Sequence, residues 1–234
     1  MNQFSAFHYT FYLRLALFAA LLLGNLSVPA EAAANAPSNI QEAAAHPQII
    51  FVAAQGTRSD VYLYQKMADG HWMSILYSPA YIGRNGIGKT KEGDGKTPTG
   101  IFTMTQAFGI KENPGVDLPY TKVNEQHYWV DDSNSQYYNK LILKNKAKAD
   151  WNSGEHIVDY PIQYAYAIAI DYNTAGIKNA GSGIFFHCSA NRPTAGCIAI
   201  PENNMVALMQ QFKPGCVISI DSAENIAAQI KTLP

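Results

Sequence analysis

Residues 162–170, IQYAYAIAI, constrain the fold more than any other stretch. Bulky side chains fall at 162, 164, 166, 168 and 170, with mostly alanines between them. Period-two spacing sends alternate residues to opposite faces of an extended chain. The stretch reads as one strand with a bulky face and a tightly packed face. Shorter apolar runs at 48–54 (QIIFVAA), 183–188 and 216–220 read as further strands, and 60–67 and 71–77 flank Ala68-Asp69-Gly70 as a hairpin. Two helices interrupt this pattern. Pro201 fits a first helical position, and Met205, Leu208, Met209 and Phe212 form an apolar stripe that stops at Lys213-Pro214-Gly215. Ser222 fits the cap of a second helix ending near Thr232. The expected fold is a single, mainly β domain with a few short helices.

Composition narrows the class. Aromatic residues are 12%, including 14 tyrosines, which speaks against disorder. A net charge of -1 excludes a globally basic nucleic-acid binder. At the start, Arg14 precedes an apolar run at 15–24, and Ala30-Glu31-Ala32 supplies an A-x-A cleavage signal. Asn25, Ser27 and Pro29 end that run well short of the roughly 20 residues a spanning helix needs. Residues 1–32 therefore read as an export signal, 33–47 (AANAPSNIQEAAAHP) as a linker or loose leader, and 48–234 as the folded domain, with no membrane segment after cleavage.

The string Gly83-Arg84-Asn85-Gly86-Ile87-Gly88-Lys89-Thr90 spells a phosphate-binding loop. Such a loop needs a helix N-terminus after it, to aim N–H groups at phosphate. The residues that follow, KEGDGKTPTG, are too rich in glycine and proline to start one. The string reads as a surface loop, and no nucleotide partner is expected.

The chemistry is concentrated at 181–202, GSGIFFHCSANRPTAGCIAIPE. His187 ends an apolar strand and Cys197 follows ten residues later. Strand alternation puts Phe185 and His187 on one face, and Ile184, Phe186 and Cys188 on the other. A strand–loop–strand hairpin of this length brings the Cys197 sulfur towards His187. A thiolate is a strong nucleophile, and an adjacent imidazole generates or stabilises it. Backbone N–H groups at Gly196 and Cys197 are candidate oxyanion donors. The plain alternative is a buried thiol and a core histidine. A zinc set of Cys188, Cys197, Cys216 and His187 lacks the paired short spacing of structural zinc motifs. Cys188 and Cys216 fit either a disulfide or two buried thiols.

The stretch FFHCSANRPTAGCIAI resembles the active-site signature of the YkuD-type L,D-transpeptidase catalytic domain. The resemblance extends to EGDGKTPTGIF (92–102), WNSGEH (151–156) and Ile170-Asp171-Tyr172-Asn173. It implies a mainly β, β-sandwich-like catalytic fold and an enzyme of cell-wall biogenesis and cell shape, acting on peptidoglycan stem peptides in the periplasm or cell envelope, without metal or cofactor. It makes Cys197 the nucleophile and His187 the acid/base, with Thr194 and Gly196 in the [Ser/Thr]-x-Gly-Cys frame. It also implies acylation of Cys197 by carbapenems. Transfer to an amine, giving a 3→3 cross-link, and hydrolysis by water remain alternatives, as does a non-catalytic wall-binding module. Two positions depart from the common pattern. Ala195 stands where many members carry histidine, and Ala199 where many carry Arg or Asn. Arg192 is the candidate replacement for the lost positive charge.

Overall fold

The computed structural model describes residues 36–234. The expected export signal lies outside the described residues. The described part is mainly β, with three α-helices. Helix α1 (Ile40–Ala43) precedes strands β1 (Gln48–Gln55), β2 (Arg58–Lys66) and β3 (Trp72–Tyr81). Short strands follow: β4 (Gly100–Thr103), β5 (Gln106–Gly109), β6 (Tyr120–Lys122), β7 (His127–Val130), β8 (Lys140–Leu143) and β9 (Gly154–His156). The chain ends with β10 (Ala167–Ala169), β11 (Phe185–Cys188), β12 (Ile198–Ile200), α2 (Glu202–Gln211), β13 (Val217–Ser222) and α3 (Ala223–Lys231). Ten strands form one sheet in the order β4-β13-β1-β2-β3-β12-β11-β10-β5-β6, and β8-β7-β9 form a second.

Strand alternation divides the interior. Ile50, Val52, Leu63, Phe186, Ile198, Ile200, Ile218 and Ile220 face a main core that also takes Met205, Leu208 and Met209 of α2. On the opposite face, Ile49, Phe51 and Val217 meet Ile226 of α3 and Ile40 and Ala43 of α1. Further along the large sheet, Phe108, Ala167, Ala169 and Phe185 pack against Trp129 of the small sheet. Cys197 lies in this third cluster. The site therefore sits where the two sheets meet.

The β2–β3 hairpin forms as expected, closed by Met67 N–H to the His71 carbonyl at 2.8 Å with Gly70 at φ +91°. Pro201 is the N-cap rather than the first residue of α2. Ser222 caps α3 by accepting from Asn225 N–H at 3.2 Å.

Three expectations are corrected. First, within the segment read as a linker or loose leader, residues 39–46 are docked. Asn39 caps α1, whose Ile40 and Ala43 are buried, and His46 Nδ1 bonds the Gly215 carbonyl at 2.7 Å. Burying those two apolar side chains holds the segment against β1 and α3.

Second, 162–170 is not one strand. Gln163–Ala165 is a turn of 3₁₀ helix, and only Ala167–Ala169 pairs in the sheet. The turn, anchored by Tyr164 N–H on the Tyr160 carbonyl (2.9 Å), carries Tyr164 into the third cluster while Ile168 and Ile170 stay in the main core. In an extended chain all three would share a face. The rotation gives the buried Tyr164 hydroxyl a partner, the Glu155 carboxylate.

Third, β11 and β12 pair in parallel, with His187 opposite Ala199, so they are not a hairpin. After β11 the chain is drawn across to the end of β3. There Thr194 N–H donates to the Ile82 carbonyl and Arg84 N–H to the Thr194 carbonyl, both at 2.9 Å. It returns to begin β12 beside Phe186.

The loop after β3 is fixed by a buried ion pair. Lys89 Nζ meets Asp94 Oδ1 at 2.9 Å, with side chains 2% and 7% exposed. Asp94 also accepts from the N–H groups of Thr90, Lys91 and Lys96. The residues after Thr90 form turns, and the lysine of the phosphate-loop-like string is spent on Asp94. Burial raises the Asp94 pKa, but these hydrogen bonds outweigh it and hold the carboxyl at about 2. A depressed carboxyl pKa contributes stability above the unfolded value, roughly 3.9, that is lost as pH falls towards 2. Asp94→Asn leaves Lys89 buried without its counter-charge. Urea unfolding at pH 7 is expected to show a loss of about 3–5 kcal/mol, with the gap to the parent protein closing as pH falls towards 2. Equal stability at pH 7 would show that the pair does not hold the loop.

Candidate active site

His187 stands in β11 between two alanines, Ala167 of β10 and Ala199 of β12. Nδ1 lies 2.7 Å from the Cys188 carbonyl. A carbonyl only accepts, so Nδ1 carries the proton and Nε2 is the basic nitrogen. The ring is edge-on to Tyr164, with centroids 5.7 Å apart. Burial pushes the imidazole pKa down to about 4, against a small opposing effect of the Cys188 bond, so the resting ring is neutral.

Cys197 is 7% exposed. Its sulfur accepts from Phe185 N–H at 3.3 Å and donates to the Gly183 carbonyl at 3.2 Å. Burial pushes the thiol up to about 12, and the Glu155 charge adds to this, while Phe185 N–H and the Lys89 charge oppose it. The resting pair is thus thiol and neutral imidazole. A thiolate forms only as the proton leaves, and His187 lines the same cavity as Cys197.

The turn before Cys197 is clasped by Thr194. Its Oγ1 donates to the Cys197 carbonyl at 2.7 Å and accepts from Gly196 N–H at 3.1 Å. Gly196 has φ +154°, and a Cβ there would meet the Lys96 carbonyl oxygen at 2.8 Å. Only glycine lets the turn pack on the 94–97 segment. The Gly196 N–H is thus bonded within the loop, and Thr194 clasps the turn that carries Cys197.

Two cavities meet at Cys197. The larger, about 310 Å³, is lined by His187, Tyr164, Tyr160, Arg192 and Ala199, among others. The smaller, about 140 Å³, is lined by Glu92, Asp131, Lys89, Trp129 and Gly196, among others. Arg84, Glu155, Ala195 and Cys197 border both. The two departures from the family pattern, Ala195 and Ala199, therefore fall on cavity wall. Arg192 is exposed at the rim of the larger cavity, joined by Arg84. Cys188 and Cys216 face the main core, away from the face of His187 and Cys197, so the weighed zinc set does not converge. All three cysteines are free thiols in this structure.

A model of the YkuD L,D-transpeptidase catalytic domain matches residues 48–220. The chain belongs to that family. The match runs from the first residue of β1 into β13 and contains Glu155, His187 and Cys197. No curated protein matches the chain. Membership makes this an L,D-transpeptidase-family domain, of a family that acts on peptidoglycan. Among the described residues, no helix is long and apolar enough to cross a membrane.

Reasoning from the sequence missed Arg84, Glu155 and Tyr164. Arg84 sat inside the phosphate-loop-like string, Tyr164 inside the period-two run, and Glu155 inside WNSGEH without a role.

The neutral resting pair predicts the thiol's behaviour towards a small uncharged alkylating agent. Modification of Cys197 should accelerate about tenfold per pH unit from 6 to 10 with no plateau, because only the thiolate reacts. Mass mapping of the alkylated cysteine checks this. A plateau near neutral pH would contradict a buried, protonated thiol.

Proposed function

We propose that this protein is a peptidoglycan L,D-transpeptidase with Cys197 as nucleophile and His187 as acid/base. The observation that carries the reading is the shared cavity of Cys197 and His187, in which the Nδ1–Cys188 bond reserves Nε2 for proton transfer.

In the first step the Cys197 sulfur attacks the carbonyl of the third residue of a stem peptide while Nε2 takes its proton. The imidazolium then gives that proton to the nitrogen of the departing D-amino acid, leaving a thioester. Proton transfer to a positioned base is worth about 10²–10⁴ in rate. In the second step the side-chain amine of another stem attacks the thioester, restoring the thiol and forming a 3→3 cross-link. Arg84 and Arg192 supply positive charge at the larger cavity for stem carboxylates. The smaller cavity, opening on the same sulfur, supports transfer between two stems rather than hydrolysis of one. Residues 1–32 serve as the signal that exports the enzyme to its substrate, and 48–234 as the catalytic domain.

Incubation with a purified tetrapeptide muropeptide tests the reading. A cross-linked dimer with release of the terminal D-amino acid is expected. Cys197→Ala should lower both products by at least about 10³-fold. Tripeptide alone would make the enzyme an L,D-carboxypeptidase with the same site. An unchanged tetrapeptide and no thiol adduct with a carbapenem would overturn the enzymatic reading in favour of a wall-binding module.

A further inference from the structure

Glu155 occupies an unexpected place. It lies in β9, opposite Trp129 of β7, and its side chain borders both cavities beside Cys197. Its Oε2 accepts from the Tyr164 hydroxyl, whose ring also packs edge-on against His187. Its Oε1 has no protein partner among the described residues. Burial raises the carboxyl's pKa, the Tyr164 bond lowers it, and the charges of Asp131 and Glu92 raise it further.

A negative charge at this point opposes the first chemical step, because it disfavours the Cys197 thiolate. The second step has the opposite need. An acceptor amine arrives as an ammonium ion and must lose two protons to become an amide nitrogen. His187 Nε2 handles one of them, passing it to the departing Cys197 sulfur. The other must leave before the amine can attack. The smaller cavity also suits a cation. Its carboxylates are Glu92, Asp131 and Glu155, three against two basic residues, of which Lys89 is already paired with Asp94 and Arg84 is shared with the larger cavity.

We propose that Glu155, through its unpartnered Oε1, binds the acceptor ammonium in the smaller cavity and takes its first proton. This rests on the transpeptidase reading above. The ammonium gives one proton to the Glu155 carboxylate, and the neutral amine nitrogen forms a bond to the thioester carbonyl. The C–S bond breaks, and the second nitrogen proton passes through Nε2 to the sulfur. Glu155 then releases its proton to water. Atoms and charge balance: thioester and ammonium become amide, thiol and one solvent proton. Tyr164 is a positioning residue in this scheme, holding Glu155 and His187 in fixed relation.

Glu155→Gln tests the proposal, since glutamine can still accept from the Tyr164 hydroxyl but cannot take a proton at neutral pH. The donor is a tetrapeptide stem and the acceptor a second stem with a free side-chain amine. Release of the D-amino acid reports acylation, and the ratio of dimer to tripeptide reports the fate of the acyl-enzyme. This ratio is independent of how much enzyme acylates. In E155Q, acylation is expected at or above the parent rate, and the ratio is expected to fall about 10²–10⁴-fold at pH 7. Its pH profile should also change. In the parent enzyme the ratio levels off above the Glu155 ionisation, whereas in E155Q it should keep rising with pH up to the amine's own pKa. An unchanged ratio and profile in E155Q would overturn the proposal. So would loss of acylation in a folded E155Q, which would place Glu155 in the first step. A parent enzyme that releases D-amino acid but forms no dimer would instead overturn the transpeptidase reading.

Discussion

His187 donates its Nδ1 proton to the carbonyl of the next residue, 2.7 Å away, and the rest of the site is arranged around that bond. The bond selects one tautomer and fixes the ring plane, so that Nε2 is the nitrogen left for chemistry. The ring is buried between alanines and against Tyr164, which keeps it neutral and able to accept a proton. The Cys197 thiol is buried as well and protonated at rest. Both groups are therefore uncharged at rest. A site of this kind stores no exposed thiolate, which limits adventitious oxidation.

The scaffold that delivers Cys197 to this ring is a long-range construction. Thr194 ties the turn before Cys197 to the end of β3, and Gly196 lets it lie on the Lys96 backbone. The Lys96 segment is shaped in turn by Asp94, which gathers three backbone N–H groups and the Lys89 ammonium. The DGKTP stretch and the TAGC stretch are thus two halves of one structure. Glu155 closes the opposite wall from the small sheet, held by Tyr164.

Much of this was legible in the sequence where local physics decides. The β2–β3 hairpin, the Ser222 cap, the apolar stripe of α2 and the opposed faces of Phe185/His187 and Phe186/Cys188 all follow from periodicity and turn chemistry. The features that spacing alone could not reveal depend on distant partners. Residues 162–165 alternate as a strand would, but the buried Tyr164 hydroxyl finds its acceptor on β9, and a helical turn satisfies it. The 189–197 connection is long enough for a hairpin or a crossing, and its bonds to Ile82 and Arg84 select the crossing. Arg84 enters the site through those same bonds, from a loop whose own sequence suggests only a turn.

The central claim is that the Cys197 sulfur becomes acylated by a stem peptide under the control of His187. The most direct measurement is intact-protein mass spectrometry of the enzyme quenched in acid during turnover of a tetrapeptide muropeptide, followed by peptide mapping. The account predicts an adduct equal to the substrate minus its terminal D-amino acid, on the peptide containing Cys197, and strongly delayed in His187→Gln. An adduct on another residue, or turnover with Cys197 unmodified and unneeded, would contradict it.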